Sequence, residues 1–349
     1  MAPVEKPNLV GNTIANTAVF ANAKPQATKR ATYRNPVVNQ SAADPSAMRA
    51  KDGTYYSYTT GSAPAGKRER VPVRSSRDLV NWKHQGDAMP TKPKWAKGAY
   101  MAPHVDQVGD EYRMYFSAKQ KNGNMATGVA KSKSPTGPFK PDDKPLVKGK
   151  GFRAIDAFVH DAGKGRRYLY WGSQYEPIMA QRLSKDGTKL VGKAKAAYTP
   201  NGQRSSHETL IEGAWMVKRG KYHYMFVSGD RYQDHYAVNV GRSKSPTGPF
   251  KRKDGGPILK AGAKFNPGEG GEVMKNPAGK HKFHQPGHNA TVKDDRGNDW
   301  MVYHAYQRGK EDDGRKLMLD RIRWKDGWPS IEGGRPSRGR KAAPVIDNP

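Results

Sequence analysis

The chain of 349 residues contains no cysteine, which excludes disulfide frameworks, thiolate metal sites and thiol nucleophiles. It has no apolar run approaching the ~18 residues of a membrane span, and its first residues, MAPVEKPNLV, are not a basic region followed by an apolar core. No membrane partner is expected. Neither a G-x-S-x-G elbow nor a phosphate-cradling loop is present, which removes two common routes to hydrolysis and nucleotide chemistry. Acidic residues are scarce beside basic ones, 32 Asp+Glu against 62 Lys+Arg, for a net charge of +30. Such an excess attracts polyanions at long range. The basic residues are scattered through turns and strand ends, however, without any helix-turn-helix, zinc-finger or RNP-like motif. The charge therefore reads as a surface property whose consequence is non-specific polyanion binding. Adaptation to anionic surroundings and deliberate supercharging both account for it. A chain of this length can bury roughly 75% of its unfolded surface, so it needs no staple, and a monomer is expected.

What is present is a repeat. The stretch EGAWMVKRGKYHYMFVS, from Glu212, reads as a polar residue, a short strand over Ala214 to Lys218, a Gly-bearing turn and an aromatic strand over Tyr222 to Ser228. Four other stretches share this layout, starting at Ala43, Ala102, Ile155 and Gly287. Their aromatic strands are marked by Tyr55, Tyr112, Tyr168, Tyr222 and Trp300, at separations of 57, 56, 54 and 78 residues. Several strands per unit at such a period predict an all-β fold, a five-bladed β-propeller. The leading polar residues are Asp44, His104, Asp156, Glu212 and His288. Innermost strands of a propeller surround its axis, so these five are expected to converge on one funnel.

Taken in order, residues 1–34 lack periodicity and are read as an irregular leader. The propeller occupies 35–349 with a basic C-terminal tail, part of which is expected to close the ring by pairing with the first blade. The nearly identical AKSKSPTGPFK and GRSKSPTGPFK place Ser132 and Ser243 111 residues apart, two periods. With two prolines each, they are outer-strand turns and serve as a ruler. A long Gly-rich loop is expected over Lys260 to Phe283. His281, His284 and His288 resemble a zinc spacing, but Pro286-Gly287 breaks the helical turn such a pair requires. His288 by itself suits either a hydrogen-bonded core position or an axial ion.

Three carboxylates in one funnel favour acid/base hydrolysis. Aromatic strands around a polar cleft suit sugar rings. Glycoside hydrolysis needs one carboxylic acid to protonate the leaving oxygen and a second carboxylate to activate water or attack carbon. A third raises the acid's pKa by like-charge proximity.

The segments ADPSAMRAKDGTYY, SRDLVNW, IDAFVHD, LSKDGTKL, EGAWMVKRGKYHY and PGHNATV together resemble glycoside hydrolase family 43 over nearly all of the chain after about Asn35. YHAY and RKLMLDRIRWKDGWP are most similar to its arabinanase and arabinofuranosidase branch. The resemblance implies an inverting glycosidase in which Asp44 is the general base, Asp156 the pKa modulator and Glu212 the general acid. It further implies that His288 helps hold calcium or a similar ion on the axis. Where the family has Trp-Ala-Pro this chain has Met101-Ala102-Pro103, so Tyr100 is the candidate for sugar stacking and His104 for lining the pocket. The expected substrate is an arabinan or arabinose-decorated polysaccharide, and the setting secreted or periplasmic, with the cytoplasm as the alternative. Competing readings are a β-xylosidase or galactan-active relative and a non-catalytic carbohydrate- or polyanion-binding propeller.

Overall fold

The computed structural model describes residues 1–2, 31–64, 66–202, 207–230, 236–254, 256–260 and 282–347. Most of the expected leader, His281 and nearly all of the expected loop over 260–283 lie outside these residues. Five antiparallel sheets follow one another along the chain, and each is a meander of strands running outward from the axis. The first blade comprises Ser46–Arg49, Tyr55–Tyr58, Pro72–Ser76 and Lys83–Asp87; the second begins with Ala96–Val108, Glu111–Gln120 and Met125–Ser132. The third comprises Phe158–Asp161, Arg167–Trp171, Ile178–Leu183 and Leu190–Tyr198, and the fourth begins with Ile211–Arg219, Tyr222–Gly229 and Ala237–Ser243. Phe283–Lys293, Asp299–Gln307, Lys316–Lys325 and Trp328–Ile331 form the fifth. The fold is the predicted five-bladed propeller. Among the described residues no helix is long and apolar enough to cross a membrane.

The aromatic second strands that mark the repeat have a structural reason. Tyrosine hydroxyls on them cross from blade to blade and donate to backbone carbonyls. Tyr58 reaches Pro135 at 2.6 Å, Tyr115 reaches Gly187 at 2.8 Å, Tyr170 reaches Pro246 at 2.6 Å and Tyr224 reaches Gly327 at 2.7 Å. Tyr55 completes the circuit, donating to Lys293 of the fifth blade at 2.7 Å. Each ring buries a large apolar area between sheets, while each hydroxyl satisfies a turn carbonyl for about 1 kcal/mol net. Pro135 and Pro246 belong to the duplicated Ser-Pro-Thr-Gly-Pro turns, which are therefore blade-docking points.

Ring closure differs from the expectation. The C-terminal Lys341–Ala342 pairs with Thr32–Tyr33, ahead of the first blade. Residues 35–42 then run along the fifth blade: the Val37 N–H donates to Leu317 at 2.9 Å and the Ala42 N–H to Arg315 at 2.7 Å. The physical reason is an incomplete edge. Trp328–Ile331 covers only Ile322–Lys325 of the third strand of that blade, and the N-terminal segment covers the Arg315–Leu317 end. Asn35 fixes the latch, donating to Leu319 at 2.9 Å and accepting from the Leu319 N–H at 2.8 Å.

Candidate active site

On or just before each innermost strand a matching position adopts left-handed backbone: Asp44 (φ 51°), Ala102 (45°), Asp156 (58°), Gly213 (61°) and His288 (46°), with Ala99 and Gln285 as further left-handed residues on two of these strands. Non-glycine residues rarely adopt this region, and it persists only where the surroundings enforce it. At the matching positions the enforcement is a ring of hydrogen bonds from each N–H to the preceding blade. Ala102 donates to Thr60 Oγ1 at 3.0 Å, Asp156 to Ser117 Oγ at 3.0 Å, His288 to Ser228 Oγ at 2.6 Å and Asp44 to His304 Nδ1 at 3.0 Å. The third-to-fourth junction breaks the pattern. There Gly213 donates to Asp156 Oδ2 at 3.1 Å, and Ser173 turns its hydroxyl onto Glu212 Oε2 at 2.7 Å.

This frame corrects the expected equivalence of the five polar residues. Asp44, Asp156 and His288 share one position, but Glu212 lies one residue before it and His104 two residues after. Glu212 is also inside its strand rather than ahead of it, followed by a register shift before Trp215. The bulge re-aims the chain, and Gly213 suits it twice over. Its φ is 61°, and a Cβ there would stand 3.0 Å from His288 Nδ1.

Asp44, Asp156, Glu212 and His288 all line one open cavity of about 620 Å³ together with Arg315. Asp44 accepts from Arg315 Nη1 at 2.6 Å and Nη2 at 3.3 Å, and from Thr60 Oγ1 at 2.6 Å. Burial works to raise its pKa, but Arg315, His288, His304 and the Thr60 bond outweigh burial and hold the carboxyl well below the usual carboxylate range. Asp156 is the opposite case. Burial, then the charges of Glu212 and Asp44, push its pKa well above the ordinary value. Both Glu212 oxygens are engaged, one by Ser173 and the other by the Tyr236 hydroxyl at 2.8 Å. His288 Nδ1 stands between the acids, 3.6 Å from Asp44 Oδ1 and 3.9 Å from Asp156 Oδ2. Burial lowers its pKa against the pull of Asp44 and Glu212.

Two expected pocket residues are elsewhere. Tyr100 does not line this cavity. On a strand where Met101 faces it, Tyr100 lines a separate cleft and packs on Phe116. His104 lies deeper on the axis, its ring centroid 4.6 Å from Phe158 and 5.4 Å from Trp215. Burial lowers its pKa to about 3, so it is neutral. Both His104 nitrogens and both side-chain polar atoms of Asn289 lack hydrogen-bond partners. They line an axial cavity of about 10 Å³ shared with His288, room for roughly one water. Among the described residues no group of three His, Cys, Asp or Glu side chains is arranged to hold a metal.

Sequence reasoning missed Arg315, Ser173 and Tyr236, which hold the two catalytic candidates, and the cavity rim of Phe152 and Tyr175. Those two aromatics are 46% and 60% exposed. Large apolar side chains so exposed beside a polar cavity were findable only once the cavity was known.

The family model for Glycosyl hydrolases family 43 matches residues 33–329. An extracellular exo-α-(1→5)-L-arabinofuranosidase of Cellvibrio japonicus is 27% identical, the match covering 83% of this chain and 86% of that protein. A β-D-galactofuranosidase of Aspergillus niger is 31% identical over 82% of this chain and 81% of its own length. The crystal structure of a thermostable family-43 glycoside hydrolase superposes with a TM-score of 0.74 at 26% identity, covering 90% of this chain and all of that one. With a match spanning the whole propeller, the chain belongs to the glycosyl hydrolases of family 43.

Proposed function

We propose that this glycosidase cleaves α-L-arabinofuranosidic linkages in an arabinan or arabinose-decorated polysaccharide, by a single displacement that inverts the anomeric carbon. The observation that carries the mechanism is the opposite perturbation of two carboxyls in one cavity. Asp44, kept ionised by Arg315 and Thr60, removes a proton from the attacking water. Asp156, its pKa pushed up by burial and by the charges of Glu212 and Asp44, is the modulator beside Glu212, which as general acid protonates the departing glycosidic oxygen. Pairs of titratable groups driven apart in this way divide the acid and base roles. Phe152 and Tyr175 present exposed ring faces at the rim on which sugar C–H faces stack.

The furanoside reading is supported by the named activities of the Cellvibrio and Aspergillus relatives. α-L-Arabinofuranose and β-D-galactofuranose share their ring configuration and differ in the exocyclic carbon chain, so a β-D-galactofuranoside is the second substrate to try. The word extracellular in the Cellvibrio relative's name supports action outside the cell. An axial cation such as calcium would be held through His288, with His104 and Asn289 as further donors. The neutral imidazoles and orphaned amide fit such an occupant, which would add positive charge beneath the acids. Calcium prefers oxygen ligands, so water would complete its shell.

The test is product release from arabinan, debranched arabinan, arabinoxylan, xylan and aryl glycosides, with Glu212→Ala as the control. Release of arabinose or arabino-oligosaccharides by the native enzyme, absent in a folded Glu212→Ala variant, supports the reading. Release of xylose or galactose without arabinose overturns the substrate.

A further inference from the structure

Beside the catalytic cavity, across the strand segment Gly98 to Met101, lies a second open cleft of about 250 Å³. Ala99 lines both cavities. Four cationic side chains converge on the cleft from two separate segments: Arg68 and Arg70 from the long connection inside the first blade, and Lys92 and Lys97 from the first-to-second blade junction. Of the nearby carboxylates, Glu69 itself lines the cleft with one oxygen engaged, while Asp87 pairs with Arg70 at 3.7 Å. Glu69 bonds His84 at 2.9 Å, and Asp87 accepts the Arg70 and Val71 N–H groups at 3.0 Å each. Arg68, Lys92 and Lys97 form no ion pair among the described residues. The Arg70 guanidinium, paired with Asp87, lies 5.8 Å from the Tyr100 ring centroid, so the cleft sets the unpaired Arg68, Lys92 and Lys97 against the single carboxylate of Glu69.

We infer that this cleft is a subsite for a uronate unit, and that the enzyme's polymeric substrate carries carboxylated sugars next to the linkage it cleaves. The inference rests on the glycosidase reading above, because the shared Ala99 puts the cleft on the path of a glycan chain leaving the catalytic cavity. Its volume takes one sugar ring. Guanidinium and ammonium groups match a carboxylate by charge-assisted hydrogen bonds. The +30 net charge acts in the same direction at long range, drawing an acidic polymer toward the enzyme.

The experiment compares kcat/KM on a uronate-bearing arabinan with the same polymer after its carboxyl groups are reduced to alcohols, for the native enzyme and for Arg68→Gln/Lys97→Gln. A neutral aryl α-L-arabinofuranoside reports on the catalytic site alone, and calorimetry with a short oligogalacturonate reports on the cleft without turnover. The native enzyme is expected to prefer the carboxylated polymer by about tenfold, through KM, with the preference lost in high salt. The double variant is expected to lose that preference and the oligogalacturonate binding while keeping aryl glycoside turnover. Equal kcat/KM on the two polymers, or oligogalacturonate binding unchanged in the variant, overturns the subsite. Equally tight binding of a single-stranded oligonucleotide of the same charge, lost to the same extent in the variant, overturns its selectivity for uronate. Absence of aryl glycoside turnover counts against the glycosidase reading, whereas the calorimetry judges the cleft by itself.

Discussion

Arg315 donates to both oxygens of Asp44, at 2.6 and 3.3 Å, so the carboxylate assigned to water activation is held in plane and in charge by a residue 271 positions away in sequence. Replacing Arg315 by Gln leaves that carboxylate buried without its main counter-charge. Loss of one partner from such a pair costs about 3 kcal/mol of stability. Because burial then raises the Asp44 pKa with less opposition, the acid limb of kcat/KM against pH moves upward. The rate at neutral pH falls by less than the ~10²- to 10⁴-fold expected for Asp44→Ala. An acid limb unmoved in Arg315→Gln contradicts the role given to the arginine.

Asp156 provides a stability test with a definite sign. Its folded pKa is raised above the unfolded value of about 3.9, so its contribution to stability is fully present below pH ~4 and is lost as pH rises toward the folded pKa. Asp156→Asn removes this titration. Its melting temperature relative to native protein should therefore climb as pH rises from 4 to 8, while glycosidase activity is lost. A constant difference across that range speaks against a raised Asp156.

Phe152 and Tyr175 line the cavity while remaining exposed to solvent. Truncating either to Ala should raise KM for arabinan about fivefold to tenfold, by loss of stacking worth roughly 1 kcal/mol, and leave kcat within about twofold. Steady-state kinetics on polymer and aryl glycoside separate the two effects. A fall in kcat with KM unchanged would place these rings in the chemistry rather than in binding.

The unpartnered His104 and Asn289 on the axis lead to a prediction about ions. Removing divalent cations by chelation should lower the melting temperature, with calcium restoring it, and His104→Ala should abolish the difference. A melting temperature indifferent to chelator and calcium leaves water as the axial occupant.

Much of the fold was legible because its cause is periodic. Tyrosines that bolt adjacent blades recur at the period of the blades, and turn residues recur with them. Asp44, Asp156 and Glu212 were legible by a looser rule, a carboxylate near the start of an innermost strand. The same rule misplaced His104, and the substitution of Met101 for the family's Trp misplaced Tyr100, because bulges decide which face of a strand a residue occupies, and a shift of one residue reverses it. Glu212 reaches the cavity only through the bulge that Gly213 permits. Arg315 and Tyr236 were not legible, since nothing local marks an arginine at a strand edge or a tyrosine before a strand as the partner of a distant acid. Ring closure was misread for a related reason: the uncovered edge of the fifth blade depends on how far Trp328–Ile331 extends.

The central claim, that Asp44 and Glu212 act on opposite faces of one glycosidic bond, is tested most directly by proton NMR of the anomeric signals during the first minutes of hydrolysis of an aryl α-L-arabinofuranoside. The account predicts that β-arabinofuranose appears first and the α-anomer accumulates only by mutarotation. The α-anomer appearing first would mean retention through a covalent intermediate and would contradict the assignment of Asp44 as a base acting on water.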